Sequence, residues 1–140
     1  MIKMKTAVIY KSFLGSTGKY AEWLSEEINA DVFRFGQIKK DQFDNYDIVI
    51  ISSGTYIGWM PLKGYLKKVW QYIKDKNVVV VAVGAASEDD EWSIKSYERI
   101  PIDIRSKIKY FKIPGKLGKQ TAKDIKKENL EPIFKYVRSL

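Results

Sequence analysis

The sequence predicts an α/β fold: a doubly wound, five-stranded parallel sheet built by residues 1–140 as one domain. Short β-type segments recur along the chain, and stretches with helical apolar spacing fall between them. Three of the β-type segments are dense in Val and Ile, as strands covered by helices on both faces require.

The strand expectations are Thr6 to Tyr10, Asp31 to Phe35, Asp47 to Ser52, Val78 to Val83 and Ile108 to Ile113. On the first helix Ala21, Leu24 and Ile28 share a face. The second has a longer stripe of Leu62, Tyr65, Leu66, Val69, Trp70 and Ile73. Ala122, Leu130, Ile133, Phe134 and Val137 mark the last. Residues 92–106 give a weaker signal, because Pro101 interrupts any helix there.

Composition narrows the chemistry. The chain has no Cys and no His, which removes thiolate nucleophiles, disulfides, zinc fingers, Ser-His-Asp triads and the usual neutral-pH base. Redox or group-transfer chemistry would then come from a bound cofactor. No metal site is expected. No apolar run approaches the roughly 20 residues that span a bilayer, and no signal-peptide pattern is expected, so a cytoplasmic location is the default expectation.

The turn after the first strand carries the most information. Ser12, Phe13, Leu14, Gly15, Ser16 and Thr17 place hydroxyls and a glycine where a helix begins. Unpaired N–H groups and the positive end of the helix dipole suit an anion there, and the hydroxyls add donors. The turn lacks the lysine of a triphosphate loop and the glycine spacing of a dinucleotide loop. A plain N-cap by Ser16 or Thr17 is the alternative. Ligands of such sheets sit at the carboxyl ends of the strands. Two further loops fall there: Ser53, Gly54, Thr55, Tyr56, Ile57, Gly58 and Trp59 after the third strand, and Gly84, Ala85, Ala86 and Ser87 after the fourth. Their small residues let backbone approach a flat ring, and Tyr56 and Trp59 could stack on it or instead cap the following helix.

Ser12 to Thr17 resembles the flavodoxin phosphate loop [ST]-x-T-G-x-T at its first, fourth and sixth places; Leu14 stands where that family has a hydroxyl. The resemblance extends along the whole chain, in the short form of the family. Ser53 to Met60 followed by Leu62 to Val69, and Tyr110 to Leu117, are more similar to the branch containing menaquinone-dependent protoporphyrinogen dehydrogenase than to acidic electron carriers. The resemblance implies strand order 2-1-3-4-5, FMN as cofactor, and redox chemistry carried out on the flavin with no catalytic side chain. An oxidoreductase acting on a protoporphyrinogen or a quinone, a one-electron carrier serving a partner protein, and a flavin-free regulatory module all remain open.

Charge is uneven. Residues 107–140 hold ten Lys or Arg against three acidic residues, so most of the net +8 lies in the last quarter. The field suits an acidic redox partner, an anionic substrate or peripheral contact with lipid headgroups, and a solvated lysine face is the plain alternative. Lys116, Lys119 and Lys123 are the steering candidates, just beyond the fifth strand. Specific nucleic-acid binding is not expected, since only four of the 25 basic residues are Arg. The run Glu88 to Glu91 reads as a solvated loop or as negative charge at a ring edge.

Overall fold

A computed structural model describes residues 4–11, 15–54, 62–84, 91–115 and 125–140. Five strands, β1 (Thr6–Lys11), β2 (Asp31–Arg34), β3 (Ile48–Gly54), β4 (Asn77–Gly84) and β5 (Ile108–Pro114), form one sheet. All pairings are parallel, in the order β2-β1-β3-β4-β5. The expected doubly wound topology is therefore present.

Alternation along the inner strands feeds two apolar layers. Val8, Ile50, Val79 and Val81 face helices α1 (Ser16–Ile28) and α5 (Glu131–Arg138), where they meet Ala21, Leu24, Ile133 and Phe134. Ala7, Ile9, Val49, Ile51, Val78 and Val80 face the other way. There they pack with Leu62, Leu66, Val69 and Ile73 of α2 (Leu62–Ile73) and with Phe43 of the 3-10 turn Lys40–Asn45. Every residue of β3 is buried. Tyr65 and Trp70 of the expected α2 stripe are only partly buried, as is Ile28 on α1, where Tyr20 supplies the core contact instead.

Pro101 divides rather than abolishes helix between residues 91 and 106. Helix α3 (Glu91–Glu98) stops before it, and Pro101 is the N-cap of the single turn α4 (Ile102–Arg105). With φ fixed and no N–H to donate, proline suits a helix entrance and not an interior. The same physics shortens the last helix. Pro132 sits in the first turn of α5, so Leu130 reaches the core from the separate 3-10 turn Lys127–Leu130. Ala122, also assigned to that stripe, lies outside the described residues.

Four strands outrun their expected ends, β1 by Lys11, β3 by Ser53 and Gly54, β4 by Gly84 and β5 by Pro114, while β2 stops one residue short of Phe35. Ser53, Gly54 and Gly84 are therefore the last rungs of the sheet and not loop residues. Register shows why: Ser53 pairs with Lys11, Gly54 with Val83 and Gly84 with Pro114, and each pairing extends the ladder past the Val/Ile run that marked the strand.

Candidate cofactor site at the carboxyl edge of the sheet

Parallel strands put all their carboxyl ends at one edge, and the ends of β1, β3, β4 and β5 lie there in consecutive register. Above β1, Gly15 takes a left-handed conformation, φ 89°, that favours glycine, and it leads directly into α1. Its carbonyl accepts the Lys19 N–H at 3.0 Å, which closes the first turn. Gly15, and not Ser16 or Thr17, is the N-cap residue of α1. Ser16 and Thr17 are nevertheless buried, at 8% and 3% exposure, in the first turn of the helix. A Cβ built on Gly15 would meet nothing within 4 Å, so open space lies beside the turn. A 13-residue helix opening at a left-handed glycine, with buried hydroxyls and open space beside the turn, fits a phosphate group.

The middle of the edge is flat and small. Ser53 is fully buried, its hydroxyl donating to the Gly54 carbonyl at 3.2 Å. Beside it, the Ser52 hydroxyl donates to the Val81 carbonyl at 3.0 Å, tying β3 to β4. The Gly84 carbonyl accepts twice, from Gly115 N–H at 2.9 Å and from Lys112 Nζ at 3.0 Å, which aims it at β5. The close approach requires glycine, since a Cβ on Gly115 would lie 2.8 Å from Gly84 Cα.

On the α1 side the edge is held by a buried polar chain. Asn129 Nδ2 donates to the Tyr20 hydroxyl at 2.9 Å, and that hydroxyl donates to the Pro114 carbonyl at 2.6 Å. Tyr20 thereby fixes the phosphate-side helix to the end of β5. On the opposite face the Tyr65 ring stacks on Phe35 at 4.2 Å, while its buried hydroxyl has no partner and burial pushes its pKa up to about 12. Tyr46 is likewise pushed up to about 12, by burial first and then by its hydrogen bond to Asp31 Oδ2 at 2.7 Å.

Of the residues expected to hold a cofactor, the structure gathers Gly15, Ser16, Thr17, Ser53, Gly54 and Gly84 at this edge. Ser12, Phe13, Leu14, Thr55, Tyr56, Ile57, Gly58, Trp59, Ala85, Ala86 and Ser87 lie outside the described residues. So do Glu88, Asp89, Asp90, Lys116, Lys119 and Lys123. Glu91 begins α3 and pairs with Lys95 at 2.9 Å in an exposed ion pair. Sequence reasoning missed Lys112, Tyr20 and Asn129. A lysine amid the apolar β5 pattern was the available signal for Lys112; no local pattern links Tyr20 to Asn129, which stand 109 positions apart.

Residues 7–136 match the flavodoxin domain family. The chain belongs to that family. Membership supports FMN as the cofactor. An uncharacterized protein of Methanocaldococcus jannaschii is 36% identical over 56 residues, 39% of this chain. That match spans 37% of the archaeal protein, little more than a third of its length. Oxidised flavodoxin 2 of Bacillus cereus superposes with a TM-score of 0.58 at 16% identity, covering 94% of this chain and 99% of its own. A flavoprotein of Lactobacillus acidophilus in complex with FMN gives a TM-score of 0.56 at 18% identity, covering 81% and 93% of the two chains. At such identities the solved structures show a shared fold. No helix among the described residues is long and apolar enough to cross a membrane.

Proposed function

We propose that this flavodoxin-family chain is an FMN-dependent redox protein, an oxidoreductase whose acceptor is a small molecule or a partner protein. The observation that carries the reading is the edge itself. The start of α1, with Gly15 left-handed and Ser16 and Thr17 buried, stands over the same sheet edge as the small strand ends Ser53, Gly54 and Gly84. When bound, FMN supplies one- or two-electron transfer, a chemistry that a chain without Cys and His does not supply itself.

The chain's residues then have definable roles. Ser16 and Thr17 hold the phosphate with their hydroxyls and with the first N–H groups of α1, whose dipole favours the charge. Ser12, Phe13, Leu14 and Gly15 complete that loop. Ser53 to Trp59, and Gly84 to Ser87, flank the ring, with Tyr56 or Trp59 covering a face. Lys112 and Gly115 fix the Gly84 carbonyl toward β5 and so set how closely the backbone at the end of β4 approaches the cofactor. The cytoplasmic placement belongs to this proposal and rests on the family.

A direct test compares FMN with riboflavin, which lacks the phosphate. Thr17→Ala is expected to weaken FMN by about 1.5–3 kcal/mol, the usual worth of a hydrogen bond to a charged group, and to leave riboflavin nearly unchanged in fluorescence-quenching titrations. Equal losses for both ligands would remove Thr17 from the phosphate site. A wild-type protein that quenches neither flavin would end the FMN reading. Anaerobic reduction by NADH, NADPH or reduced ferredoxin, then reoxidation by quinones, separates the oxidoreductase from a one-electron carrier.

A further inference from the structure

Between α3 and β5, on the sheet face opposite α1, lies a pocket of about 210 Å³. Its described lining is Ser93, Ile94 and Tyr97 from α3 with Tyr110 and Lys112 from β5. Ser93 and Tyr97 stand one helical turn apart, and Tyr110 and Lys112 are alternate residues of a strand, so each element presents one face to the same space.

Three features give the pocket a chemistry. The Ser93 hydroxyl is buried, its residue only 5% exposed, and has no hydrogen-bond partner among the described residues. Burial without a partner is unfavourable for a hydroxyl and is relieved by an incoming oxygen. The Tyr97 and Tyr110 rings meet at 4.6 Å with a 55° tilt and form an aromatic wall. Two described cations flank the group: Lys112 lines the pocket, and the Arg105 guanidinium lies 5.4 Å from the Tyr97 ring centre. Ile94, 43% exposed, adds an apolar lip. A cavity of about 150 Å³ takes up benzene, so this one has room for a single substituted ring and not for a flavin or a nucleotide.

We propose that the α3–β5 pocket is a binding site for a small aromatic carboxylate. The ring lies against Tyr97, Tyr110 and Ile94, and the carboxylate accepts from the Ser93 hydroxyl within the field of the Lys112 ammonium. Lys112 also holds the Gly84 carbonyl, so the ligand lies one side chain away from the end of β4. Ser93 has no part in the cofactor reading and Lys112 enters it only through the Gly84 carbonyl, so the site stands whether or not the cofactor reading does.

The test is a titration of the protein, purified with FMN and also stripped of it, with benzoate and with its neutral isostere benzamide, followed by amide NMR shifts. Saturable shifts centred on residues 93–97 and 109–112, with benzoate at least tenfold tighter than benzamide, are expected in both preparations. Lys112→Met should abolish the preference for benzoate and Lys112→Arg should keep it, with the spectra themselves reporting that each variant is folded. Ser93→Ala should weaken both ligands severalfold. Equal affinity for the two probes, shifts centred elsewhere, or no saturable binding would overturn the proposal. Because the readout does not use the flavin, a failure to bind FMN leaves it intact, and its failure leaves the FMN reading intact.

Discussion

The two faces of the sheet are equally apolar at their centres but treat their buried hydroxyls differently. On the α1/α5 face, the Tyr20 hydroxyl both donates and accepts, and joins α1, the Lys127–Leu130 turn and β5 in one closed chain. On the α2/α3 face Tyr46 donates to Asp31, but Tyr65 and Ser93 carry buried hydroxyls with no partner among the described residues. A fully satisfied network rigidifies, while an unsatisfied buried group stores a cost that a ligand can relieve. The first face therefore sets the position of the phosphate-side helix, and the second keeps the room for a ligand.

The largest test of this division strikes where the faces meet, at the Gly84–Gly115 contact. Gly115→Ala puts a Cβ 2.8 Å from both Gly84 Cα and Gly84 N, where backbone and not a flexible side chain must move. A loss of about 3 kcal/mol in urea denaturation is expected, the upper end of what overpacking usually costs. FMN affinity should fall with it, because Gly84 is displaced. An alanine variant of wild-type stability would show that the strand ends have slack, and the positioning argument would lose its anchor.

A smaller effect separates the faces by chemistry. Tyr20→Phe removes the donor to Pro114 and leaves Asn129 facing a ring edge. A cost of about 1.5 kcal/mol is expected, mid-range for breaking a buried pair. Tyr65→Phe removes the same atom from a site where it bonds to nothing, so stability should hold or rise slightly. Equal losses in the two variants would mean that the Tyr65 hydroxyl is satisfied in solution, and the contrast between the faces would fail.

The sequence made this contrast legible only in part. The Val and Ile runs of β3 and β4 announce strands covered on both faces, and the spacing of Leu62, Leu66, Val69 and Ile73 announces the buried side of α2, because periodicity is a local signal. The glycine and hydroxyl chemistry of Gly15, Ser16 and Thr17 is local too. Strand ends are hard to place because Ser53, Gly54 and Gly84 look like loop residues, while partners up to 42 positions away hold them in the ladder. The Tyr20 chain and the pocket were hidden for the same reason. Tyr20 meets Pro114 across 94 positions, and Ser93 shares a pocket with Lys112 only because α3 folds back over β5.

The smallest expected effect lies on the outer surface of the satisfied face, where Glu27 of α1 pairs with Arg138 of α5 at 2.7 Å and with Lys127 at 3.1 Å. The hydrogen bond to Lys127 first, then the one to Arg138, lowers the Glu27 pKa below 4.5. A depressed carboxyl pKa means that the unfolded chain binds the proton more readily, so the pair stabilises the fold above pH 4.5 and loses that contribution as pH falls through the folded value. The pair lies at the surface, where solvent and salt screen it. Glu27→Gln should therefore lower the urea midpoint only slightly at neutral pH and low salt, and the difference should vanish in about 1 M salt, where the Debye length is about 3 Å. It should also shrink as the pH drops below 4.5. A difference that survives both acid and salt would come from packing between α1 and α5, and would show that contact and not charge ties these helices at the surface.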